Sequence, residues 1–277
     1  MNYAHNQLIS GLSEQAYHEA PGIRSSALKA AMRSSSHYVA YLEQPRADTP
    51  ALRLGRLAHL AILEPDVFDR TVRARPASDL RTAKGKAELL AWRAEQPSGL
   101  VDVTTDEYAT LQGMRDAAYA HPRLRHLLAS GSAEQTLFWR DPAHDAPCKA
   151  RMDWCAQGGI VVDLKTTMDA SLDSFGRDVQ RYQYGVSAAH YLEGARVSGV
   201  ANPDVFILVA IEKTPPYGIG LYTLGSDVLD WGHQWRHHAM ANITRVMRTN
   251  EAPGYPDHFQ VLELPKWAPR PIEFADT

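Results

Sequence analysis

The order of apolar and polar positions divides the chain into a helical first half and a strand-bearing second half. Ser25 or Ser26 can cap a helix running to about Leu42, with Leu28, Ala31, Met32 and Tyr38 on one face. A second helix is predicted from about Ala51 to Leu63, stopped by Pro65, and a third from about Thr82 to Glu95. Thr105 is a candidate cap for a fourth, from Asp106 to about Ala120, ended by Pro122. The period then changes. Ala133–Arg140, Cys148–Cys155 and Gly159–Lys165 read as three short strands, separated by a loop over 141–147 and by the tight turn Gln157-Gly158-Gly159. Ser174 to Gly194 reads as a helix, Val205–Lys213 as a strand buried on both faces, and Gly218–Leu224 as a further strand. Ser226 to about Arg248 closes the pattern as a long helix. From residue 106 the predicted order is helix, three strands, helix, strand, strand, helix, an α/β layout with a mixed sheet.

Composition narrows the class. At 277 residues, 44% apolar and 22% charged, the chain is neither collagen-like, low-complexity nor largely disordered. Its longest apolar run, Val205 to Ile211, is far short of the roughly 20 residues that span a bilayer. The opening Met1-Asn2-Tyr3-Ala4-His5-Asn6 shows no basic-then-apolar signal pattern. Cys148 and Cys155 are too few for a disulfide framework or a four-thiolate zinc site, so a cytoplasmic protein with reduced thiols is expected. The net charge of -3 argues at first against a nucleic-acid partner. It is unevenly spread, however: residues 1–90 carry 12 Lys/Arg against 9 Asp/Glu, which leaves the excess acid to residues 91–277.

The candidate chemistry lies on the strands. P-loop, GxGxxG, HExxH, CxxC and GxSxG signatures are absent. Met152-Asp153 falls on the second predicted strand, and the third ends in Asp163-Leu164-Lys165-Thr166-Thr167. Residues two apart on a strand share a face, so Asp163 and Lys165 point the same way, and an antiparallel neighbour can bring Asp153 beside them. Two carboxylates and an ammonium on one face suit a hard cation such as Mg²⁺, with the Leu164 carbonyl as a further oxygen ligand. Most Asp-x-Lys pairs are solvated ion pairs. Here the buried run Ile160-Val161-Val162 leaves charge only at the strand's end, where α/β proteins tend to place sites. His59, in an apolar helix, is either a satisfied core histidine or an imidazole completing a carboxylate-rich Mg²⁺ or Mn²⁺ site. Gln183, Ser187 and Tyr191 share a face of the predicted helix and either bind phosphate and fix the lysine or simply pack.

These residues resemble the PD-(D/E)xK nuclease superfamily, and within it the RecE-type (exodeoxyribonuclease VIII) phage and prophage exonucleases. The likeness runs over nearly the whole chain. It takes in Leu12–His18, Pro21–Leu28, Leu54–His59 with Leu63-Glu64-Pro65, Cys148–Asp153, Val162–Thr167 and the closing Leu264-Pro265-Lys266-Trp267-Ala268. The sequence departs from the family in having Met152 before the first aspartate and Ser187 in place of the helix glutamine, with Tyr191 aligned and Gln183 one turn earlier. The resemblance implies one domain over 1–277, with a mixed central sheet flanked by helices over 131–277. Residues 1–130 would be a mostly helical elaboration that contributes His59. It implies a divalent metal (Mg²⁺, with Mn²⁺ as substitute) on His59, Asp153, Asp163 and the Leu164 carbonyl, Lys165 serving the attacking water, and Glu134 as a possible accessory.

The implied activity is Mg²⁺-dependent 5′→3′ digestion of double-stranded DNA ends, leaving 3′ overhangs for phage-type recombination. The implied partners are a ring-shaped homo-oligomer (trimer or tetramer) and a single-strand annealing protein. A structure-specific endonuclease, a single-strand repair nuclease and an inactive DNA-binding relative are the alternatives. DNA phosphates would fall to Lys29 and Arg33, to Arg70, Arg73, Arg75, Arg81, Lys84 and Lys86, and to Arg177 and Arg181.

Overall fold

The computed structural model describes residues 6–44, 48–200, 203–266 and 268; Met1–His5 of the opening stretch and Trp267 of the closing motif lie outside them. The first half runs β1 (Gln7–Ile9), α1 (Glu14–Glu19), α2 (Ser25–Ala31), α3 (Ser35–Glu43), α4 (Pro50–Leu63), α5 (Pro65–Thr71), β2 (Val72–Ala74), α6 (Ala83–Ala94), β3 (Val101–Val103), α7 (Thr105–Ala120) and α8 (Pro122–Leu128). The second runs β4 (Gly131–Asp141), β5 (Ala146–Ala156), β6 (Ile160–Thr167), α9 (Leu172–Arg181), α10 (Tyr184–Val197), β7 (Phe206–Glu212), β8 (Ile219–Thr223) and α11 (Ser226–Thr249).

Six strands form one mixed sheet in the order β1-β4-β5-β6-β7-β8, and β2 pairs with β3 in a small parallel sheet outside it. Only β6 and β7 are parallel within the main sheet, as the α9–α10 crossover between them requires. Each face of the sheet carries its own core. On one, Leu28, Trp139, Met152, Val186 and Met240 pack under α2, α3, α10 and α11. On the other, Ile62, Phe68, Met114, Val162 and Leu164 pack under α4, α5, α7 and α8. No helix among the described residues is long and apolar enough to cross a membrane.

Three sequence expectations are corrected. The predicted helix from Ser25 to Leu42 is two helices, because Ser34 turns the chain into extended backbone and its hydroxyl caps α3 at the His37 amide. The predicted helix over 174–194 is also two, broken at Gln183, which is left-handed at φ 56°. α10 then packs on α11 at Gly185 and Gly232, so closely that a Cβ on Gly232 would lie 2.2 Å from the Gly185 carbonyl oxygen. Finally, the capping threonine of α7 is Thr104, in a reciprocal box with Glu107, one residue earlier than expected.

Candidate metal centre and active site

The site begins where β4 and β5 lose their own pleat. On β4, Leu137 and Trp139 belong to the first core but Ala133 to the second; on β5, Met152 belongs to the first and Trp154 to the second. Alternate residues of a regular strand share a face, so the alternation slips once on each strand. The slip on β4 falls at Glu134, whose backbone is left-handed at φ 53°, a conformation costing a non-glycine residue about 1–2 kcal/mol. On β5 it falls at Asp153. The two face each other between the pairs Ala133↔Trp154 and Gln135↔Met152.

Here β5 also parts from β6. Their pairing covers Trp154–Ala156 against Ile160–Val162, and beyond it the Asp153 carboxylate accepts the Leu164 amide at 2.8 Å. A side chain has taken over a bond that the strand ladder relinquished, which holds that carboxylate in the gap. α4 presents His59 to the same point, with Nδ1 3.5 Å from Asp153 Oδ2. One ligand atom from each of His59, Glu134 and Asp153 lies within 4.8 Å of the others. The three line a cleft of about 570 Å³, with Glu14, Glu64 and Arg151 further along its wall.

The electrostatics show an excess of acid. Burial, then the nearby Asp153, push the Glu134 carboxyl up to about 7, against the pull of its ion-pair partner Arg151. Asp163, 3% exposed, is ion-paired with Lys165. Burial raises the Asp163 pKa and Asp153 adds to the rise, while Lys165 opposes both. Burial disfavours the Lys165 ammonium, but Asp163 and Asp153 outweigh it and hold it above the usual lysine value. Lys165 is therefore a cation in this geometry. Its Nζ also donates to the Leu164 carbonyl at 3.3 Å.

The sequence-predicted residues distribute as follows. His59, Asp153 and the loosely assigned Glu134 form the ligand group, while Asp163 sits behind it with Lys165, and the Leu164 carbonyl is engaged by that lysine. Tyr191 lies near Asp163, Tyr17 and Asp153, and burial foremost raises its phenol. Ser187 is buried in α10, and Gln183 is the left-handed cap of that helix, its carbonyl accepting the Ser187 amide at 3.4 Å one turn on. Lys29, predicted as a DNA contact, stands at the centre instead: its Nζ is 5.4 Å from the Tyr184 ring centroid, and Lys165 Nζ is 5.3 Å from the same ring. Burial, then Lys165, lower the Lys29 pKa to about 8.

The rest of the basic set is more dispersed. Arg75 pairs with Asp102, Arg81 with Asp79 and Lys84 with Glu88. Arg73 bonds the carbonyls of Asp69 and Val72, Arg33 the Tyr255 hydroxyl, and Arg181 lies over Tyr182. Arg70, Lys86 and Arg177 are exposed. Sequence reasoning missed Arg151. Arg151 stands two residues before Asp153, which puts it on Asp153's face by strand spacing, and that was a usable signal.

The donor set fits a divalent cation. One imidazole nitrogen beside carboxylate oxygens is a hard, oxygen-rich set of the kind Mg²⁺ and Mn²⁺ take. The raised Glu134 carboxyl marks crowded negative charge that such a cation would relieve.

A mixed sheet with Asp-x-Lys at the end of one strand and a second aspartate on its antiparallel neighbour is the PD-(D/E)xK nuclease fold. The chain belongs to the family described as PDDEXK-like domain of unknown function (DUF3799), whose model matches residues 24–265. Among solved structures it is similar to a "putative exonuclease" from Eubacterium rectale, at TM-score 0.60 and 16% identity, over 93% of this chain and 96% of that one. That likeness shows the fold. A second structure, SSO0001, matches at TM-score 0.29 and 12% identity over 80% of this chain and 85% of that one. Comparison with curated proteins gives no match.

Proposed function

We propose that this protein is a divalent-metal-dependent exonuclease of RecE type that degrades double-stranded DNA from its ends, 5′→3′, and leaves 3′ single strands for annealing-type recombination. The observation that carries the reading is the ligand group His59, Glu134 and Asp153, held at the split between β5 and β6 and backed by the Asp163–Lys165 pair. His59, Glu134 and Asp153 would hold a Mg²⁺ or Mn²⁺ ion, which would supply Lewis-acid stabilisation of the phosphate oxygens. Lys165, kept charged by Asp163, orients the attacking water and offsets charge building on the phosphate. Asp163 fixes the Lys165 ammonium, and the Leu164 carbonyl steadies it from below. Water adds to phosphorus as one phosphoester bond breaks; the proton the water loses passes to solvent, and the departing oxygen takes one up to leave as an alcohol.

The reading extends to a cytoplasmic, ring-shaped homo-oligomer working with a single-strand annealing protein. The test is digestion of linear duplex, labelled at either end, with Mg²⁺ or Mn²⁺, beside a covalently closed circle. Release of nucleotides from the 5′ ends of the linear form only is expected. Cutting of the closed circle points to an endonuclease, and loss of the 3′ label first reverses the polarity.

A further inference from the structure

We propose that Lys29 is a second phosphate-binding cation of the reaction centre, holding a non-bridging oxygen of the scissile phosphodiester across from Lys165. The inference rests on the nuclease reading above. It starts from a contrast between a buried lysine and a half-buried one. Lys149, 3% exposed, shows how this fold houses a structural lysine: its ammonium donates to the carbonyls of Tyr17, His18 and Ala20 at the end of α1. Lys29 has no such cradle. Among the described residues no carboxylate forms an ion pair with it, and its ammonium lies over the face of Tyr184. The acid that acts on it is Asp163, which Lys165 already occupies.

The position is not an accident of a loose side chain. Lys29 projects from α2, whose Ala27, Leu28 and Ala31 are buried in the core shared with α10 and α11. That helix therefore carries the Lys29 ammonium to the ring that Lys165 also touches. Both ammonium groups lie against that one ring and Lys165 disfavours the charge on Lys29, a repulsion that a further anion between them would relieve. The anion this centre takes is a phosphodiester, and its charge grows as water adds. A donor aimed there contributes more in the transition state than in the ground state.

The test uses the full chain with Lys29→Met, which keeps the stem, and Lys29→Arg, which keeps the charge. Duplex binding is measured in EDTA over a salt series, and nucleotide release is measured with Mn²⁺. For Lys29→Met, the slope of log K against log salt should fall by about 0.9, the value of one lost phosphate contact on B-DNA. Its nucleotide release should fall on the order of 100-fold. Lys29→Arg should keep the slope and most of the rate. Lys29→Gln carries the same two measurements if Lys29→Met does not fold. An unchanged slope overturns the proposal whatever the rate does. A lowered slope with an unchanged rate overturns the scissile position, and failure of Lys29→Arg to the same degree as Lys29→Met overturns the role of charge. Absence of nucleotide release by the wild type would sink the nuclease reading, while the binding slope still decides for or against Lys29 as a phosphate contact.

Discussion

Two clusters of buried charge sit at opposite ends of the β4–β5 hairpin, and the fold treats them differently. Near the turn, Asp141 is 1% exposed, is ion-paired with Arg236, and accepts both the backbone amide and the ring of His144 at 2.9 Å. Burial works against its carboxylate, yet Arg236 and His144 outweigh burial and hold it below the usual range. Beside it His190, pushed down to about 3 by burial and then by Arg236, stays neutral and bonds the carbonyls of Ile23 and Lys149. At the open end, Glu134 and Asp163 are pushed the other way. One cluster answers its acids from within the chain and holds the architecture together. The other keeps acid in excess, and that is a binding site's signature.

The sharpest way to break this contrast is Asp163→Asn, or Lys165→Ala, at the open end. Nucleotide release per folded molecule should fall by on the order of 10³-fold or more, as read by digestion of labelled duplex with the folded fraction fixed by circular dichroism. Wild-type digestion by either variant removes both residues from the reaction. At the turn end, Arg236→Met should do the reverse. It strands a buried carboxylate and costs about 3–5 kcal/mol in urea unfolding, while the folded fraction cuts at the wild-type rate.

The third prediction sets the two ends against each other by pH. Glu134 has a folded value of about 7 against 4.5 for an ordinary glutamate, so between those values the folded state holds a proton that the unfolded chain has lost. Metal-free stability from this group therefore falls as pH rises through that window. Asp141 is depressed, so its contribution is present above its unfolded value and lost as pH falls. Glu134→Gln should flatten the neutral-side loss, worth ~1–2 kcal/mol after allowing for its partial exposure. Mn²⁺ should restore wild-type stability above pH 7 and EDTA remove it. A Glu134→Gln protein with an unaltered profile would contradict the raised carboxyl. The smallest effect is expected from Arg81→Ala with Lys84→Ala. Both are exposed and paired locally, and release should change less than about twofold at moderate salt.

Much of this was legible in the sequence where a local pattern decided it. The strand over Ile160–Thr167, its Asp163–Lys165 face and the helix bearing His59 follow from period and turn chemistry alone. What was not legible depended on contacts far apart in the chain. Where α10 docks depends on Gly185 meeting Gly232, and no helical pattern over 174–194 contains that information. Glu134 joins His59 and Asp153 through a left-handed backbone that slips the strand's alternation, a conformation sequence period does not encode for glutamate. Lys29 was visible as a basic residue, but its place beside Lys165 required α2 to dock on α10.

The positions of Lys29 and His59 also bear on when the protein becomes competent. The acids at 134, 153 and 163 arrive on three adjacent strands, and hairpin pairing gathers Glu134 and Asp153 by local contact. Their counterparts on α2 and α4 lie roughly a hundred residues away and meet them through high-contact-order docking, the slower kind of assembly. A chain still folding thus holds clustered carboxylates without its imidazole or its second ammonium. Under the proposed activity, a copy in which α2 and α4 have not docked lacks the imidazole and the second ammonium and does not cut.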